Sequence, residues 1–159
     1  MRKIEQLLQE YGKSHQNPTN KMIHWICVPL IFFSVIGLLF SIPPGPMENL
    51  SFLLGNFANW ATIVIAIVLF YYISLSLTLA LGMFFFCSIC LALSNLITII
   101  SAVPLWVISL FIFGTAWFFQ FLGHKLEGKS PSFLQDLQFL LIGPAWLMQF
   151  IYRRLGLSY

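Results

Sequence analysis

The sequence predicts an all-α fold: an integral membrane helical bundle of about four transmembrane helices, with further interfacial helices at its N-terminal and C-terminal ends, in a single domain spanning residues 1–159. Three observations carry this. Hydrophobic residues fill 59% of the 159 positions and charged residues 8%, against roughly 25% charged in soluble domains. Between Glu48 and Lys125 no residue carries a formal charge. The apolar stretches also come in lengths near the ~20 residues that a helix needs to cross a hydrocarbon core ~30 Å thick.

Taken in order, residues 4–21 are polar and of mixed charge, so the start lacks the early apolar core of a cleaved signal peptide and the first hydrophobic segment is expected to be retained. Asn17 is a good N-cap and Pro18 suits the first helical position, so a helix should begin there and continue through a first span at 24–41. The stretch "SIPPGPMEN" cannot continue a helix. Residues 60–98 form one apolar run that would reach roughly 58 Å as a single helix at 1.5 Å per residue. It therefore reads as two spans, 60–77 and 80–98, with a turn or kink around Ser76 to Gly82. A fourth span follows at 103–123. In the tail, Ser130 reads as an N-cap with Pro131 at the first helical position, while Asp136, the glutamines and the Gly143-Pro144 pair argue against an ordinary lipid-facing span. Residues 131–151 are expected as two short interfacial or re-entrant helices; a full crossing would raise the count to five.

Charge sets the expected sidedness. All eight basic residues lie before residue 22 or after residue 124, so the positive-inside rule places both termini in the cytoplasm and requires an even number of crossings. The expected location is a bacterial inner membrane, or the endoplasmic reticulum of a eukaryote. Basic clusters beside spans serve topology or anionic headgroups, and nothing in the sequence points to nucleic acid. Cys27, Cys87 and Cys90 lie in apolar runs and read as buried packing residues despite the "CSIC" spacing.

With that sidedness, His15, His24 and His124, the chain's three histidines, fall at one membrane face. Asn20 and His24 are four apart and share a helix face, as do Gln120 and His124; Glu127 follows three residues later. A metal-bound imidazole uses its second nitrogen to hydrogen-bond a carbonyl or carboxylate, and an Asn or Gln oxygen could fill that role. Polar groups near membrane depth are costly and tend to be functional. Lone interfacial histidines are nonetheless common, and Glu127 could simply face water beside Lys125 and Lys129. Three imidazoles suit zinc, iron, copper or nickel, in one site only. No GxGxxG, P-loop or GxSxG motif is present, so any redox chemistry must draw its electrons from the substrate or from another protein.

The stretches "YGKSHQNPTNKMIHWICVPL" and "WFFQFLGHKLEGKSPS", in this order and at these positions, resemble the 2-hydroxy fatty acid dioxygenase family of small membrane proteins, over essentially the whole chain. The resemblance implies an Fe(2+)-dependent enzyme of lipid α-oxidation that converts a 2-hydroxy long-chain fatty acid and O2 to the acid one carbon shorter plus CO2. In fungi the family serves phytosphingosine breakdown. Carried over by position, His15, His24 and His124 are the motif histidines, with Asn20, Gln120 and Glu127 in the matching surroundings. The family often has glycine where Cys27 stands, an aromatic residue at Leu126 and alanine at Ser132, departures that bear on packing rather than on ligands.

Such chemistry agrees with the bare sequence. Three protein ligands on one face of an octahedral iron leave three positions open, enough for an α-hydroxy carboxylate and O2. Lys21, Lys125, Lys129, Arg153 and Arg154 are candidates for attracting the carboxylate, with Lys21 and Lys125 foremost, although topology alone would put basic residues there and explains the two arginines better. Two other classes compete: a zinc-dependent lipid hydrolase with Glu127 as general base, and a non-catalytic lipid-binding or scaffold protein. Oligomeric state is not readable from the sequence.

Overall fold

The structure is a computed structural model that describes residues 2–13, 15–128 and 133–157, with backbone alone over 133–139. The expected cap at Ser130 and Pro131, together with Lys129 and Ser132, lies outside the described residues. Seven α-helices and short 3-10 turns make up the described elements, with no strand among them. Helix α1, Lys3–Lys13, is amphipathic: Ile4, Leu8 and Tyr11 recur at helical spacing and are buried. Helix α2 runs Pro18–Phe40 from the expected cap, with Asn17 Oδ1 accepting from the backbone N–H of Thr19 at 2.9 Å and of Asn20 at 3.3 Å. The proline-rich stretch ends α2 as expected and leads through turns and the short α3, Ser51–Leu54.

Helices α4, Trp60–Leu75, and α5, Leu77–Ile100, are separated by Ser76 alone. Extended backbone there, with φ −167° and ψ 125°, ends one helix, and the Ser76 hydroxyl caps the next by accepting from Leu79 N–H at 3.3 Å. The break thus falls at the first residue of the expected turn. An Asn56–Asn95 hydrogen bond of 2.9 Å joins the turn before α4 to the last third of α5, and α4 packs along α5 as an antiparallel hairpin. Helix α6 spans Leu105–Leu126. Three helices, α2, α5 and α6, are by themselves long and apolar enough to cross a membrane. The expected span at 60–77 is shorter than that: α4 has 16 residues, roughly 24 Å, and counts as a crossing only together with the 45–57 segment, to which it is bent by 78°.

Helix α7 corrects the expectation for the tail. Residues 133–154 form one helix that runs through Gly143 and Pro144, not two short ones. A proline inside a helix costs about 3 kcal/mol, but Ile142, Trp146 and Leu147 are buried on either side of it, at about 1.5–3 kcal/mol each, which outweighs the lost backbone bond. Pro29 inside α2 is tolerated in the same way, between buried Val28 and Ile31.

Helix α7 packs against α1, α2 and α5. Tyr72 OH donates to the Leu141 carbonyl and Tyr152 OH to that of Thr78, the latter at 2.7 Å. Helices α2 and α6 pack antiparallel and closely: a Cβ at Gly37 would collide with Ser109 Oγ at one end, and a Cβ at Gly123 with Asn20 Oδ1 at the other. These contacts put α1, the α4–α5 turn, the end of α6 and α7 at one end of the bundle. The three cysteines are buried thiols, as expected.

Candidate metal centre

His15 stands in the connection between α1 and α2, His24 two turns into α2, and His124 in the last turn of α6. The folded chain brings all three together. One ligand nitrogen from each lies within 4.8 Å of the others, and the ring centroids are 4.2 Å (His15–His24), 5.0 Å (His24–His124) and 5.6 Å (His15–His124) apart. Nitrogens that share one ion at about 2.0–2.1 Å in a facial or tetrahedral set stand about 3.0–3.4 Å apart, so a shift of at most about an ångström per ring closes the set. Exposures of 2, 1 and 6% exclude the reading of scattered histidines at a wet interface.

Helical geometry fixes two of the rings. Tyr11 O lies 2.7 Å from His15 Nδ1, and Asn20 O lies 2.9 Å from His24 Nδ1. A carbonyl can only accept, so each Nδ1 carries the proton and donates it. The lone pair is left on Nε2, the tautomer a metal binds. The orienting groups are thus backbone carbonyls four residues earlier, rather than the side-chain amides that the sequence suggested. Tyr11 further stacks on His15 at 4.2 Å and 17°, with Trp146 of α7 5.4 Å from the same ring.

Glu127 stands outside the ligand triplet, at the C-cap of α6. Its carboxylate accepts from Gln16 N–H at 2.7 Å, from Asn17 N–H at 3.0 and 3.2 Å, and from Asn20 Nδ2 at 3.0 Å. These bonds engage both oxygens that a hydrolase would need for a general base. Burial pushes the Glu127 carboxyl up, but the hydrogen bonds from Asn20, Gln16 and Asn17 together outweigh it and hold the group below its ordinary range. Asn20, fully buried, therefore serves twice: its carbonyl orients His24 and its amide grips Glu127.

Gly123 makes this possible, because a side chain there would displace Asn20 Oδ1. Gly123→Ala is expected to lower metal affinity by about 10–100-fold, the usual cost of disturbing a ligand's outer partner, with helix content by circular dichroism unchanged. Unaltered affinity in a metal titration would sever Asn20 from the site.

Two spaces adjoin the triplet. A groove of about 630 Å3 reaches His15 and is walled by Lys13, Lys21, Trp146, Phe150 and Arg153 among others. A cavity of about 20 Å3 reaches His24 and is lined also by buried Gln120. Lys21 is thus beside the site, whereas Lys125 is exposed on α6 and is not among the groove's lining. Tyr11, Trp146 and Lys13 were missed as site residues, and Arg153, weighed for the carboxylate, was set aside because topology explained it better.

Residues 1–155 match the family described as 2-hydroxy-palmitic acid dioxygenase Mpo1-like. The chain belongs to this family. No curated protein and no solved structure matches it. The Mpo1-like description agrees with the family that the two histidine-bearing stretches resemble, and both stretches fall within the matched residues.

Proposed function

We propose that this Mpo1-like protein is an iron(II)-dependent dioxygenase that converts a 2-hydroxy long-chain fatty acid and O2 to the fatty acid one carbon shorter. The observation that carries the reading is the convergence of three buried imidazoles, two with Nδ1 committed to a carbonyl, in a chain whose family is described as a 2-hydroxy-palmitic acid dioxygenase. Their donor set fits iron(II): neutral nitrogens on a buried, apolar background, with few enough ligands to leave positions open. Iron(II), when bound, supplies those open positions for an α-hydroxy carboxylate to chelate and for dioxygen to be activated.

The remaining roles belong to the chain. His15, His24 and His124 would hold the ion, while Glu127 and Asn20 keep the first two in place. Lys21, with Lys13 and Arg153 along the same groove, outweighs Glu5, the one acid among the described lining residues, and draws the substrate carboxylate toward His15. Uncharged helices lodge the acyl chain, at roughly 25 cal/mol per Å2 of apolar surface removed from water. The bond broken joins the first and second carbons: R–CHOH–COOH plus O2 gives R–COOH, CO2 and H2O. Substrate supplies all four electrons, which accounts for a chain without nicotinamide or flavin motifs. The basic residues gather at the end of the bundle that carries the site, so the positive-inside rule turns that end, with both termini, to the cytoplasm.

Anaerobic purification with metal quantification, followed by 2-hydroxypalmitate and air, tests this. Iron bound one-to-one and a product one carbon shorter by mass spectrometry are expected. Zinc occupancy with no oxygen uptake would overturn the proposal.

A further inference from the structure

We propose that the small cavity beside His24 is a dioxygen site, kept apart from the groove through which the anionic substrate arrives; this rests on the dioxygenase reading above. The triplet is approached from two spaces of opposite character. The groove at His15 is large and carries Lys13, Lys21 and Arg153, which suits a carboxylate. The cavity at His24 measures about 20 Å3 and is lined by Val28, Ile31, Trp117 and Leu140, with Tyr11 and Gln120 completing it.

One water-sized molecule needs roughly 10–15 Å3 by the same measure, so the cavity admits one diatomic and excludes a carboxylate or an acyl tail. Dioxygen is uncharged and dissolves better in hydrocarbon than in water. Its natural source is therefore the bilayer around α2 and α6, the two spans that contribute most of the lining. Water is the competing occupant, and it asks for two to four polar partners. Three lining side chains are aliphatic and Nδ1 of His24 is already donating to the Asn20 carbonyl, but Tyr11, Trp117 and Gln120 bring polar atoms to the same wall, so water is the occupant that the test has to separate from dioxygen. Separate entries also let the bulky substrate fill its groove without closing the way to the smaller one.

Val28→Ile adds one methyl group to the cavity wall. In the iron-loaded protein it is expected to raise the KM for O2 by about tenfold, the effect of a single methylene in a close-fitting pocket, while the KM for 2-hydroxypalmitate stays where it was. Independently of turnover, crystals of the parent protein pressurised with xenon are expected to hold the gas between Val28, Ile31 and Trp117. Ordered water alone in that space, an unmoved KM for O2, or both KM values rising together would each overturn the assignment. A parent that takes up no O2 with 2-hydroxypalmitate would instead overturn the dioxygenase reading itself. The xenon measurement needs no variant, so a poorly folding Val28→Ile leaves the proposal open to refutation.

Discussion

His124→Ala is expected to remove metal binding and turnover together while leaving the helical bundle in the membrane. His124 is the one ligand candidate contributed by α6, and α6 is joined to α2 by close packing along its whole length, so deleting one imidazole near its end does not dismantle the pair. Two imidazoles remain in contact, 4.2 Å apart, but two nitrogens do not hold a first-row ion as three do. The loss should exceed the 10–100-fold that disturbing an outer hydrogen-bond partner costs. Anaerobic metal quantification after desalting reads the first effect, and conversion of 2-hydroxypalmitate the second. Full iron content with full rate in His124→Ala would leave the cluster without a catalytic role. The same substitution at His15 or His24 should match it in iron lost. Equal losses from residues on three separate segments are what a shared ion requires, whereas residues that merely pack would differ with their local contacts.

The convergence of the histidines was legible because polar groups are scarce in this chain: an imidazole beside a span stands out against an otherwise uncharged background. What was not legible was the way each ring is held. Acceptance by the carbonyl four residues earlier depends on the rotamer and on α1 ending where it does, at Lys13, and side-chain amides at the same spacing offered a plausible substitute. Tyr11 and Trp146 carried no signal, since 17% of the chain is aromatic and any one aromatic reads as core. A break around Ser76 to Gly82 was legible because the 60–98 run is too long for one crossing, whereas its position at Ser76, whose hydroxyl caps the following helix, shows only in the fold. Gly143 and Pro144 misled for the opposite reason: local breakers are read from sequence, while the burial of Ile142, Trp146 and Leu147 that overrides them exists only once α7 meets α1, α2 and α5.

Glu127→Ala is expected to weaken iron binding by about 10–100-fold and to recover much of its rate in excess iron. The reason lies in what the carboxylate touches. It accepts from the backbone of residues 16 and 17, immediately after His15, and from the amide of Asn20, whose carbonyl orients His24. From three residues beyond His124 it therefore positions the other two imidazoles. Removing it leaves those N–H groups to water or to nothing, at about 1–3 kcal/mol for any that stays buried and unmet. Glu127→Gln keeps one accepting oxygen but turns an NH2 toward donors, so partial rescue should follow. A direct catalytic role predicts otherwise: a missing proton acceptor would leave the rate low at any iron concentration. The pH dependence follows from the depressed carboxyl. Its contribution to stability is complete above the ordinary value of 4.5 and is lost as pH falls through the lower folded value. Iron retention should accordingly be insensitive to Glu127 titration through the neutral range and fail in acid, where a titration of iron release against pH reads it. An alanine variant that holds iron normally yet stays slow would move Glu127 from positioning to chemistry.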